Sequence, residues 1–371
     1  MTHSRIQKKI QNLLAAVDIQ VNGNRPWDLQ VHTEDLYPRL MAKGSLGLGE
    51  SYVEGWWDCD RLDEFFYRIL RADLNTGLNA AEVFEVLKSK LINLQKPSRA
   101  FEVGQKHYDI GNTLFRHMLD NRLIYSGAYW KDAASLDEAQ EAKLDLICRK
   151  LDLRPGLRVL DIGCGWGGAA RFIAEHYQAE VVGVVVSEEQ AAYGKELCQG
   201  LPVDIRLQDY RDLEGTFDRI VSIGMFEHVG VKNYAEFFRI VKDRLKEDGL
   251  FLLQTIGGTR SVTRTDPWIS RYIFPNSMLP SAKQICTSCE GLFVLEDWHS
   301  FGADYDTTLM HWYRNFLANW EKIKPDYDEQ FFRVWIYYLL SCAGSFRARK
   351  NQLWQIVFSP RGVPGGYRSV R

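Results

Sequence analysis

Asp161-Ile162-Gly163-Cys164-Gly165-Trp166-Gly167-Gly168 closes the short apolar run Arg158-Val159-Leu160-Asp161-Ile162, and a helical pattern over 168–176 follows it directly. A buried strand that ends in a glycine-rich turn and hands over to a helix marks the ligand end of an open α/β sheet. Gly163, Gly165 and Gly167 allow backbone torsions and a close approach that a side chain would forbid, so a ligand can rest on bare backbone there. The spacing is G-x-G-x-G-G. A dinucleotide site would instead show G-x-G-x-x-G and an acidic residue at the end of the second strand, which argues against a dehydrogenase.

Outward from the turn, strand patterns at 180–186, 203–207, 217–222 and 250–255 alternate with helical patterns at 168–176, 188–199 and 233–245. Such alternation predicts a parallel sheet covered by helices on both faces. Asp161 stands at the end of the first strand, and Asp209, flanked by Gln208 and Tyr210 in "LQDYRD", follows the third, where an adenine contact would fall. After the second strand, Ser187-Glu188-Glu189-Gln190 fits a capping box, with Ser187 as N-cap and Gln190 reaching back. Capping alone accounts for these residues. Because no acidic residue ends that strand, ribose binding falls to Gln190 or to the Ser187 hydroxyl.

Upstream, Ile6, Ile10, Leu13 and Leu14 recur at helical spacing, followed by a turn at 21–24, a strand near 29–31, helices near 35–42 and through Phe65-Phe66, and another over 80–94. "QKPSRAFEVGQKHYD" reads as a linker, which divides the chain into a smaller α+β unit, 1–97, and a larger one, 98–371. Downstream, "HWYRNFLANW" and "FFRVWIYYLLSCAGSFRARKNQLWQIVF" read as two helices, and "SPRGVPGGYRSVR" as a loose tail.

A net charge of −2 gives no general attraction to nucleic acid. With 11 Trp, 17 Tyr and 19 Phe the chain can line a wide apolar cavity, although ordinary core packing uses the same residues. Seven cysteines, an odd number at low density, favour a reducing compartment, hence the cytoplasm. Cys286 and Cys289 form a lone C-x-x-C without a second ligand pair, so no metal is expected. The N-terminal residues mix charges with apolar positions, unlike a signal peptide, and no stretch approaches the roughly 20 apolar residues of a membrane span.

Jointly, "GSLGLGESYVEGWWDCDRLDEFF", "HYDIGNTLF", "YSGAYW", "LDIGCGWGG", "GMFEHVG", "WISRYIFPN" and "FGADYDTTL" resemble the cyclopropane-fatty-acyl-phospholipid synthases over about 35–358. The resemblance implies an α/β, Rossmann-like S-adenosylmethionine-dependent methyltransferase domain with a smaller N-terminal α+β domain that helps capture lipid. It implies transfer of a methylene carbon from S-adenosylmethionine to the cis double bond of an unsaturated phospholipid acyl chain. The alkene attacks the sulfonium methyl, a carbocation forms, and loss of a methyl proton closes the ring. Tyr125, Ser126, Asp161, Gly163, Gly165, Gly167, Ser187, Gln190, Gln208, Asp209 and Tyr210 then fall to the donor. Phe226, Trp268, Tyr272, Phe274 and Tyr305 fall to an acyl tunnel, Glu227 to proton acceptance, and neighbouring His228 to structure. A homodimer at the inner membrane surface is a further implication, with Arg347, Arg349, Lys350, Arg361, Arg368 and Arg371 as a basic contact.

The chain departs from the family in one inferred pocket. Related synthases hold bicarbonate between Cys, Glu, His and Tyr; here Glu227 and Tyr305 match, but Gly127 stands for the Cys and Gln254 for the His. Gly127 is expected to open volume, and the Gln254 amide can still donate. Three readings follow. Bicarbonate or water is held by Gln254, Glu227, Tyr305 and backbone N–H groups near Ile256; or Glu227 takes the proton itself; or weak deprotonation diverts the cation to a methyl- or methylene-branched chain. A lipid-binding homologue that has lost catalysis is the non-enzymatic alternative.

Overall fold

The computed structural model describes residues 3–72 and 111–371. The 97/98 boundary and the helix expected over 80–94 lie outside the described residues. In chain order the elements are α1 (His3–Ala15), β1 (Gln30–Val31), α2 (Leu36–Val53), β2 (Trp57–Asp58), α3 (Leu62–Arg71), α4 (Asn112–Met118), α5 (Leu136–Lys150), β3 (Arg158–Ile162), α6 (Gly168–Tyr177), β4 (Glu180–Val185), α7 (Glu188–Leu197), β5 (Val203–Leu207), β6 (Phe217–Ile223), α8 (Tyr234–Arg244), β7 (Leu245–Gly258), α9 (Pro267–Tyr272), α10 (Ala282–Cys289), β8 (Val294–Ser300), α11 (Ala303–Ala318), α12 (Trp320–Ile323), α13 (Glu329–Arg347) and β9 (Asn351–Ser359).

A seven-stranded sheet runs β5-β4-β3-β6-β7-β9-β8. The first five are parallel, and β9 enters antiparallel between β7 and β8. Strands covered on both faces need apolar residues at successive positions, and β3 and β4 supply them. Val159 and Val181 belong to one core cluster while Leu160 and Val182 belong to another, so neighbouring residues on a strand feed opposite faces of the sheet. The order reverses at β3, which places the glycine turn at the switch point where ligands bind in such sheets.

A third core joins α1–α3 to α11 and α13, including the fully buried Trp57, Phe65, Phe115 and Trp335. Burying each such ring removes about 1.5–3 kcal/mol of unfavourable hydration. Gly344 of α13 lets α3 approach so closely that an added Cβ would stand 2.6 Å from the Asp63 carbonyl oxygen. The small sheet β1/β2 pairs antiparallel, Val31 opposite Trp57.

Two expectations are corrected at the C-terminal end. The apolar run after Arg347 is not helix: the chain turns at Arg349, with φ 62°, and continues as β9. A run buried on both faces carries no period, so strand and helix look alike in sequence. The tail is not loose either. Tyr367 donates to the Lys150 carbonyl at 2.8 Å, and Ser369 and Arg371 bond to the buried Asp297 at 2.8 and 2.6 Å.

Candidate active site

Two cavities meet at the carboxyl edge of the sheet. The smaller, about 180 Å³, lies over the glycine turn. Tyr125, Ser126, Asp161, Gly163, Gly165, Gln190, Gln208, Asp209 and Tyr210 all line it, as the sequence led us to expect. Gly163 takes φ 84°, and a Cβ there would stand 2.6 Å from the Met225 Cβ, so no other residue serves. Its N–H and that of Cys164 both donate to the Val184 carbonyl, which pins the turn to β4.

Gly167 and Ser187 stand outside this lining. Gly167 is the left-handed residue that starts α6, with φ 82°. The Ser187 hydroxyl accepts the Gln190 N–H and caps α7, while the Gln190 side chain lines the cavity. Backbone capping therefore takes the serine and leaves the glutamine for a ligand. Trp166, Arg211, Gly224 and Met225 also line the cavity and were not singled out. The last two open the motif "GMFEHVG" and arrive from the β6 end.

Behind the donor cavity lies a charged cluster that sequence reasoning missed. Lys143 of α5 is wholly buried and its Nζ donates to the Ser126 hydroxyl at 2.8 Å. Burial pushes this ammonium down to about 7, against the opposing pull of Asp120 and Asp161. Burial likewise lifts the Asp161 carboxyl to about 7, with Lys143 acting in the opposite direction. Both Asp161 carboxylate oxygens, and the Tyr210 hydroxyl, lack a hydrogen-bond partner among the described residues.

The larger cavity, about 660 Å³, is walled by rings and aliphatic groups, among them Trp268, Phe274, Tyr305, Tyr337, Leu14 and Met41. It reaches from the end of β7 to helices α1, α2 and α3. Phe226 and Tyr272 are corrected. Phe226 is fully buried and stacks on Tyr234 at 4.1 Å between centroids, in the core under the sheet. Tyr272 sits at the surface, 37% exposed, its hydroxyl on Glu50. Trp268 and Phe274 keep the expected place. Tyr125, Ser126, Gly224 and His228 line both cavities and form their shared wall.

Glu227 follows β6 in a single 3-10 turn and lines the apolar cavity. Its Oε1 accepts the Ile256 N–H at 2.6 Å, and Oε2 has no partner among the described residues. Burial lifts this carboxyl to about 7, against the Ile256 N–H that favours the charged form. Burial also lowers His228 to about 4, so its ring is neutral near pH 7 and does not compete as a base.

Around Glu227 the structure departs from the expected anion pocket. Gly127 does not open volume: a Cβ on it would stand 2.6 Å from Leu353 Cδ2 and 2.9 Å from the Tyr305 ring, which fill the space. Gln254 is fully buried, with Nε2 donating to the Gly127 carbonyl at 3.4 Å and Oε1 accepting from Gln355 at 2.9 Å. The Ile256 N–H points at Glu227 rather than at a separate anion site. Tyr305 lines the cavity as expected.

Four of the six basic C-terminal residues have partners within the chain. Arg347 bridges Asp63 at 2.7 Å and Asp306 at 2.9 Å, Arg361 pairs with Glu247, Arg371 with Asp297, and Arg349 bonds Gln352. Arg347 and Arg371 thereby tie distant segments together through the buried Asp63 and Asp297. Among the described residues no helix is long and apolar enough to cross a membrane, and no three His, Cys, Asp or Glu side chains stand as a metal site.

A sequence model of the family described as "Mycolic acid cyclopropane synthetase" matches residues 95–356. The cyclopropane-fatty-acyl-phospholipid synthase of Escherichia coli (strain K12) is 55% identical over 361 residues, which are 97% of this chain and 94% of that one. Among solved structures, a cyclopropane synthase from Mycobacterium tuberculosis superposes with TM-score 0.66 at 32% identity, covering 70% of this chain and 97% of its own. A mycolic acid cyclopropane synthase complexed with SAH and CTAB gives TM-score 0.65 at 33% identity, again covering 70% of this chain and 97% of that one.

Proposed function

The chain belongs to the mycolic acid cyclopropane synthetase family, and on that premise we propose that it transfers a methylene carbon from S-adenosylmethionine to the cis double bond of unsaturated phospholipid acyl chains. One observation carries the reading: the small cavity over the glycine turn and the large ring-lined one share the wall Tyr125, Ser126, Gly224 and His228, with the Glu227 carboxyl beside it. The residues fit the donor. Bare backbone at Gly163 and Gly165 accepts its bulk, Asp161 and Tyr210 offer polar atoms without a hydrogen-bond partner among the described residues, and Tyr125, Ser126, Gln190 and Asp209 complete the enclosure. When bound, the donor supplies an electrophilic methyl group on a sulfonium.

The acyl chain lies in the larger cavity with its double bond at the shared wall. The alkene electron pair forms a bond to the methyl carbon as the carbon–sulfur bond breaks, its electrons staying on sulfur. The tunnel excludes water from the resulting cation, and the rings of Tyr305 and Phe274 in its lining stabilise that charge. A proton then leaves the former methyl group, and the electrons of that C–H bond close the ring.

Glu227 takes that proton in this reading. Its Oε2 has no hydrogen-bond partner among the described residues, and a carboxyl held at about 7 is a working base at neutral pH. Bicarbonate does not fit the residues present. The Ile256 N–H is spent on Glu227, both ends of the Gln254 amide are engaged, and Leu353 and Tyr305 occupy the space beside Gly127.

The test is incubation with vesicles of unsaturated phospholipid and a labelled donor, followed by mass analysis and NMR of the acyl chains. One CH₂ gained per double bond, with ring protons, is expected; an unchanged chain or a branched product would overturn the assignment. Turnover in carbonate-depleted buffer should not respond to added bicarbonate, and a rise would remove Glu227 as the acceptor.

A further inference from the structure

Helix α1 separates two environments. On one side Ile10 and Leu14, each 8% exposed, face inward with Leu13 and line the acyl cavity. On the other side Arg5, Lys8 and Lys9 are exposed. The helix, "HSRIQKKIQNLLA", carries no acidic residue, and none of these three cations has an ion pair or hydrogen bond among the described residues. This contrasts with Arg347, Arg361 and Arg371, whose charges are met by Asp63, Asp306, Glu247 and Asp297.

We propose that α1 is the membrane-docking element: its Arg5, Lys8 and Lys9 face seats on an anionic phospholipid surface while its Ile10, Leu13 and Leu14 face roofs the acyl cavity. The inference rests on the phospholipid reading above and adds where the bilayer meets the protein. One observation selects a lipid surface over other anionic partners: the cations stand on a helix whose opposite face already lines an apolar cavity of about 660 Å³. Basic side chains on the outer face are drawn to anionic head groups by charge while the inner face stays in the protein. Docking through this helix brings the cavity wall to the bilayer, so an acyl chain has a short path out of the membrane with little exposure to water.

The experiment is co-sedimentation of the full chain and of the triple variant Arg5→Gln, Lys8→Gln, Lys9→Gln with vesicles of phosphatidylglycerol and of phosphatidylcholine. Three basic residues at an anionic surface should give about 100-fold stronger partitioning, and the variant should lose it. Wild-type binding to phosphatidylglycerol should fall steeply between low salt and about 0.5 M salt, because the charges are screened. A Lys8→Arg, Lys9→Arg variant should bind as wild type, and donor affinity by calorimetry should be the same in all three. Equal partitioning of wild type and triple variant overturns the proposal. So does equal loss of carbon transfer on vesicles and on lipid dispersed in neutral detergent micelles, since a docking face matters only on a bilayer. Sedimentation needs no turnover: if no carbon reaches any lipid, the phospholipid reading fails while α1 is still judged by binding alone.

Discussion

Glu227→Gln separates the chemistry of the carboxyl from its cost to the fold. Glutamine keeps an Oε1 to accept the Ile256 N–H, so the turn after β6 keeps its anchor. Burial lifts the wild-type carboxyl from an ordinary value of 4.5 to about 7. Stability from a carboxyl raised on folding is complete below the unfolded value and is lost as pH rises through the folded one. At about 1.4 kcal/mol per tenfold change in proton affinity, keeping Glu227 ionised costs about 3 kcal/mol at pH 8 and under about 1 kcal/mol at pH 5. The variant escapes this cost, so its stability relative to wild type should improve by about 2 kcal/mol from pH 5 to pH 8. With an unfolding entropy of about 2.1 cal/mol/K per residue, that is a relative rise in midpoint of about 3 °C. Other titrating groups cancel in the difference. Carbon transfer should fall at least about 100-fold and lose the rise through pH 7 expected of wild type. The assay is thermal unfolding of both proteins across this range beside turnover on unsaturated vesicles. A stability difference that does not change with pH would falsify the buried-carboxyl argument, and a variant with near wild-type turnover would remove Glu227 from proton transfer.

Four further outcomes are expected. Gly127→Cys should destabilise by about 1–3 kcal/mol, read as a lower unfolding midpoint, without raising turnover, because Leu353 and Tyr305 must shift. Lys143→Met should weaken donor binding about tenfold by calorimetry, since it frees the Ser126 hydroxyl and leaves Asp161 without its counter-charge; unchanged affinity would refute the link. Ser187→Ala should cost about 1 kcal/mol through the lost cap yet leave donor affinity within about twofold, as the hydroxyl serves α7 and not the cavity. Arg371→Ala should lower stability by about 2 kcal/mol by exposing one side of the Asp297 pair, with no effect on vesicle binding; reduced binding would return the C-terminal arginines to the membrane contact.

The glycine turn and the parallel strands on either side of it were legible because local sterics and hydrophobic runs dictate them, whereas Tyr125 and Ser126 were expected at the cavity only through the family resemblance. Gly163 must be glycine for its torsion, and Val159, Leu160 and Ile162 must be apolar because both faces are covered. Family motifs added Glu227 and the tunnel rings Trp268, Phe274 and Tyr305. Sequence could not say that Phe226 turns into the core beneath its neighbour, or that the run after Arg347 is a strand. A lone ring carries no direction, and a run buried on both faces carries no period.

Tertiary structure alone decided the contents of the pocket. Gly127 looks like an opening when read by itself, yet Tyr305 and Leu353 fill it from far along the chain. Lys143 looks like one more helix cation until α5 carries it beneath Ser126 and Asp161. Arg347 and Arg371 look like part of a membrane patch until their carboxylate partners arrive from α3, α11 and β8. Local conformation follows from neighbouring residues, whereas the fate of a side chain's volume and charge depends on which distant segment is packed against it.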